Sequence, residues 1–186
     1  MKKLLFICAL ALLSALNGYA AERGKFIHVD ASVNKNLKPQ LAFCQSKQGD
    51  QAVTTLLVQT VNTNGYNEFT DASRVLVRFA DGAAMRLNRI AGSDVSKRKY
   101  NKKSGSATIN YFETVTEYEV TPEVIAKLEA GIAVIKVRIV FKENDAKDYE
   151  IAEGYQPKMA EDLLKSYQEA VLKYNKANGD LADEDF

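Results

Sequence analysis

The sequence predicts an α+β fold: an antiparallel or mixed sheet of six to seven strands, a short inter-strand helix and a long C-terminal helix packed on the sheet. Three observations lead there. Residues 74–80 and 83–90 alternate apolar and polar around Asp81-Gly82, and residues 134–142 and 147–152 alternate around a second turn. Met159, Leu163, Tyr167, Ala170, Val171 and Tyr174 recur instead at helical spacing. A period of two marks a half-buried strand, and steps of three and four mark a helix with one buried face. A β-sandwich with a peripheral helix is the alternative arrangement of the same elements.

The chain opens on Met1-Lys2-Lys3, runs apolar over residues 4–16, and reaches Gly18 and Ala20 before charge returns at Glu22 and Arg23. A basic start, a short apolar run and small residues at the cleavage position make residues 1–20 a signal peptide. Its 13 apolar-run residues fall short of the roughly 20 that span a bilayer. The protein is therefore expected to be exported, periplasmic or extracellular, with no membrane span in the mature chain. One globular β-rich domain is expected over 21–179, followed by an acidic tail, DLADEDF, at 180–186. Losing Lys2 and Lys3 leaves 23 of the 25 basic side chains against 24 acidic ones, a net charge near −1. That balance makes nucleic acid or membrane capture by the whole surface an unfavourable reading; any such contact has to be local. Cys8 leaves with the leader, so Cys44 stands alone, without an intramolecular disulfide, and is read as a buried thiol.

After the leader, residues 34–50 and 62–72 are polar and irregular, with a short helix over 39–47. In the first hairpin a three-residue loop Ala80-Asp81-Gly82 pairs Phe79 with Ala83, Val77 with Met85 and Val75 with Leu87, all apolar on one face. Gly82 then takes the left-handed position of the turn. Next comes AGSDVSKRKYNKKSGSA, read as a long loop between strands, and then a strand over 107–120. Thr121, Pro122 and Glu123 open a short helix that Gly131 closes, with Ile125 and Leu128 as its buried stripe. A second hairpin places Phe141 opposite Tyr149 and Ile139 opposite Ile151, across a loop over 143–147. Pro157 opens the C-terminal helix and Asn178-Gly179 closes it; its Tyr and Met stripe is read as a core face.

Little of this is catalytic chemistry. The single histidine, His28, shares a strand face with Asp30 but has no nucleophile signature around it, and is read as structural. One histidine and one mature cysteine cannot complete a zinc site, and no calcium loop or phosphate-cradling glycine motif occurs, so no cofactor is expected. Glu113, Glu117 and Glu119 share a strand face and could act as acid and base in glycoside cleavage. Their alternation also fits a solvated face paired with Arg78, Arg86, Lys136 or Arg138. The remaining feature is KRKYNKK, where Lys97, Arg98, Lys99, Lys102 and Lys103 surround Tyr100. Lysines there suit phosphates or sulfates and the ring suits a sugar or base, whereas the plain reading is a solvated tip.

The run VTPEVIAKLEAGIAVIKVRI, with VLVRFADGAAMRL upstream, resembles a pattern in small exported β-rich proteins of Gram-negative bacteria. The likeness spans residues 73–141. It implies an exported β-rich domain with no assigned catalysis and carries over no functional residue. Three functions are ranked on these grounds. The first is a non-enzymatic exported binding or accessory module for a protein or envelope component. The second is a binder of anionic glycan, lipopolysaccharide or nucleic acid through 97–103, and the third is a small hydrolase.

Overall fold

The computed structural model describes residues 21–29, 39–49 and 51–178, without the side chains at 94 and 95. The expected signal peptide, Asp30 and the acidic tail lie outside the described residues. The strands are β1 (Glu22–Arg23), β2 (Ile27–His28), β3 (Gln40–Gln48), β4 (Gln51–Asn62), β5 (Arg74–Phe79), β6 (Ala84–Ser104), β7 (Ala107–Glu119), β8 (Val134–Lys142) and β9 (Asp145–Glu150). Helix α1 (Pro122–Glu129) stands between β7 and β8, and helix α2 (Gln156–Ala177) follows a 3-10 turn at Glu153–Tyr155.

This corrects the expected fold class. The molecule is mostly β, and the described residues form one nine-stranded sheet in the order β1-β3-β4-β7-β6-β5-β8-β9, with β2 also against β3. Every pairing is antiparallel, so neither a mixed sheet nor six to seven strands describes it. The undercount has a local origin. The predicted helix over 39–47 is strand β3, whose alternation is hidden because both of its faces are buried from Leu41 to Gln45.

Strand β6 holds the sheet together. Its first residues, Ala84 to Asn88, pair with β5; from Asp94 onward it pairs with β7, with register shifts between Arg89, Asp94 and Ser96. Such irregularities bend a strand and sharpen its twist. One core therefore draws on both halves of the sheet. Leu41, Phe43, Leu56, Val58 and Tyr118 meet Val75, Val77, Phe79, Ile139 and Phe141 around Met159, Ala160, Leu163 and Ala170 of α2. Met159 and Ala170 are fully enclosed, so the helix is a core element rather than the peripheral one of a sandwich.

The first hairpin takes the expected register: Val75 faces Leu87, Val77 faces Met85, and the Phe79 amide donates to Ala83 O. Gly82 has φ 87°. The second hairpin does not. Its turn is Glu143-Asn144, and Val137 rather than Phe141 faces Tyr149. Segment 145–148, DAKD, offers no large apolar side chain, so charge decides: Arg138 meets Asp148 and Lys136 meets both Asp148 and Glu150. Asn144 supplies the left-handed residue (φ 64°) that a short turn needs. Helix α1 buries Val124 and Leu128, with Ile125 only partly covered, and the Gly131 and Ile132 amides close it on Leu128 O and Lys127 O. Strands β7 and β8, on either side of it, are separated by β6 and β5.

The N-terminal segment is pinned on α2. Ser166, 1 % exposed, accepts from the Phe43 amide (3.1 Å) and donates to Lys25 O (2.8 Å). Gly24 passes so close that a Cβ there would lie 1.9 Å from Ser166 O. Lys173 Nζ donates to Arg23 O, and the Lys25 amide donates to Glu169.

Candidate functional site

KRKYNKK is not a loop. It lies within β6 and pairs residue by residue with β7, from Lys97 opposite Thr114 to Ser104 opposite Ala107. Gly105-Ser106 alone makes the turn, and Gly105 (φ 62°) occupies the first central position, where a tight hairpin wants glycine. The loop reading failed because this hairpin exposes both faces near its tip, so no apolar alternation marks it. The S-G dipeptide was the available signal. Beyond Phe112, which pairs with Asn62 at the end of β4, strand β7 pairs only with β6 among the described residues. The distal hairpin is thus a two-stranded ribbon projecting from the sheet.

Strand geometry sorts the cations. Lys97, Lys99 and Lys103 share one ribbon face; Arg98, Tyr100 and Lys102 share the other. All five basic residues are exposed, and no Asp or Glu occurs between Ser96 and Phe112. Tyr100 stacks on Tyr111 across the strands, with ring centroids 5.3 Å apart and planes at 15°. Arg98 lies 5.0 Å from the Tyr100 centroid, and Lys102 reaches both rings at 5.9 and 5.8 Å. Lys99 sits 5.3 Å from the ring of Phe112, which Tyr66 meets edge-on. Partial burial, followed by Glu113, raises the Tyr100 hydroxyl above its usual value. Tyr111 and Phe112 escaped the sequence reading because their partners come from the other strand.

The three glutamates keep one face, and two of them are held by hydrogen bonds within the sheet. Glu113, 8 % exposed, accepts from Gln59 (2.6 Å) and Arg98 (3.1 Å). Glu117 accepts from Thr55, and Glu119 is exposed opposite Thr55. Arg98 is therefore the partner, and the expected Arg78, Arg86, Lys136 and Arg138 are not: Lys136 and Arg138 serve β9 instead. His28 is exposed beside Gln40. Cys44 is buried with Leu57, Val115 and Phe26. Burial, then the charge of Glu117, pushes its thiol up to about 12, so it stays protonated and a poor nucleophile at neutral pH.

No group of three or more potential metal ligands occurs among the described residues, nor does a helix long and apolar enough to cross a membrane. Comparison with family models, curated proteins and solved structures finds no match to this chain.

Proposed function

We propose that the protein is an exported, non-catalytic binding module that grips an anionic glycan with the ribbon formed by β6 and β7. The observation that carries this reading is the five-cation run on β6, with Lys102 and Lys103 on the projecting two-stranded ribbon and Lys97, Arg98 and Lys99 at its base, where β7 still pairs with β4. Alternate residues on a strand stand roughly 7 Å apart, so Lys97 and Lys99 present a charge repeat suited to a polymer with regularly spaced sulfate, phosphate or carboxylate groups. Pairing with β7 reduces the order that binding must impose on the backbone, compared with a free loop. The leader supports export, and the near-neutral mature chain makes the contact local to the ribbon.

Salt-gradient elution of the mature protein from heparin and from immobilised lipopolysaccharide tests this reading. The control changes Lys97, Lys99, Lys102 and Lys103 to Ser and keeps Arg98, because removing that guanidinium would strip buried Glu113 of its cation. The native protein should be retained until salt screens the contact, and the variant should elute much earlier. Flow-through of both at low salt would refute the ribbon as a binding arm.

A further inference from the structure

A second feature lies where the ribbon leaves the sheet. A cavity of about 330 Å³ opens between the end of β4 and the β8–β9 hairpin, walled by Thr60, Asn62, Asn67, Phe141 and Tyr149. That volume is at the low end of the roughly 300–1,000 Å³ typical of small-molecule sites. We infer that this cavity is a binding site for a single neutral sugar ring, an inference independent of the cationic ribbon.

Its polar groups are prearranged. Asn67 Nδ2 donates to Thr60 Oγ1 (2.9 Å), Asn62 Nδ2 points to Asn67 Oδ1 (3.4 Å), and the Asn64 amide donates to Asn62 Oδ1 (3.2 Å). These bonds fix both amide planes and leave each NH₂ with a second hydrogen and Asn67 Oδ1 with a further lone pair. Vicinal hydroxyls, each both donor and acceptor, match that set. Tyr149, 6 % exposed, lines the cavity and carries a hydroxyl. Burial pushes it up to about 12, so it remains a donor at any physiological pH. Thr114, directly across the strands from Thr60, is enclosed with its hydroxyl unpartnered, which adds to the polar character of this end of the sheet.

The aromatic and charged walls narrow the class. Phe141 and Tyr149, 3 % and 6 % exposed, contribute the apolar part of the wall. Lys147 and Asp148 also line the cavity with opposite charges. Asp148 is already held by Arg138 and Lys136, and Lys147 lies 5.7 Å from the Phe141 ring centroid. The lining thus carries one charge of each sign, and a neutral ligand is repelled by neither.

The test is two-dimensional NMR of the isotope-labelled mature protein, titrated separately with glucose, galactose and N-acetylglucosamine into the millimolar range. At least one sugar should give saturable shifts centred on the Asn62 and Asn67 side-chain amides and on residues 147–149. Asn67→Ala should weaken that binding about tenfold. Tyr149→Phe, which keeps the ring and the fold, should weaken it about three- to tenfold, while the four-lysine ribbon variant should bind as the native protein does. No saturable shift with any of the three sugars overturns the inference. So does saturation at other residues, or binding that both cavity variants leave unchanged.

Discussion

Strand β7 crosses two environments, and the contrast between its halves explains most of this molecule. From Glu113 to Thr116 every residue is buried, with β4 on one edge, β6 on the other, and Val115 in the cluster with Cys44 and Leu57. From Ala107 to Asn110 the same strand has, among the described residues, only β6 beside it and is largely exposed. Pairing with strands on both edges, the burial of Val115 and the bonds that Glu113 accepts from Gln59 and Arg98 hold the first half. Cross-strand hydrogen bonds, the Tyr100–Tyr111 stack and cation–ring contacts hold the second, at about 0.2–1 kcal/mol per pair. Substitutions should therefore divide the molecule into one half that sets stability and another that tolerates change.

The largest effect should come from the α2 contact. Ser166→Ala leaves the buried Phe43 amide and Lys25 carbonyl without their partner, and is expected to cost about 1–3 kcal/mol. Urea unfolding checks this; a smaller loss would mean that the N-terminal segment docks without that serine. A middle-sized effect belongs to the β8–β9 charges. Hydrogen bonding from Arg138, with help from Lys136, holds Asp148 down to about 2, below the unfolded carboxylate value of about 3.9. Its stabilisation is therefore present above about pH 4 and lost as pH falls towards 2. With the side chain 36 % exposed, solvent screening limits the contribution to about 0.2–1 kcal/mol. Asp148→Asn should flatten that part of the stability–pH curve, and an unchanged curve would show the pairs to be energetically silent. The smallest effect should come from the ribbon. Changing Lys97, Lys99, Lys102 and Lys103 to Ser should move the unfolding free energy by no more than about 0.5 kcal/mol. A larger fall would erase the contrast and make the ribbon part of the cooperative unit.

What could be read from sequence follows the same division. The first hairpin was legible because both of its strands carry dense apolar alternation, so a one-residue slip would expose three buried pairs. The second was misread because Asp145 to Asp148 gives only charges, whose partners across the sheet cannot be chosen from spacing. Lys97 to Lys103 looked like a loop because a ribbon without a covered face produces no period of two. Of the candidate residues, the basic cluster was visible as composition. Tyr111, Glu113 as the partner of Arg98, and the Asn62–Asn67–Tyr149 cavity depend on contacts between segments far apart in the chain.

The sequence by itself determined the elements whose energetics are local. Helix α2 follows from its three-and-four apolar spacing, α1 from Pro122 and the Gly131 stop, and the first hairpin from its matched faces. Only the tertiary structure decided that β6 continues for 21 residues, that it joins two halves into one sheet around α2, and that five cations stand on a paired ribbon. The physical reason is that a polar strand is held by hydrogen bonds and ring contacts supplied by its neighbour. Its conformation is a property of the pair, which the spacing of its own residues does not record.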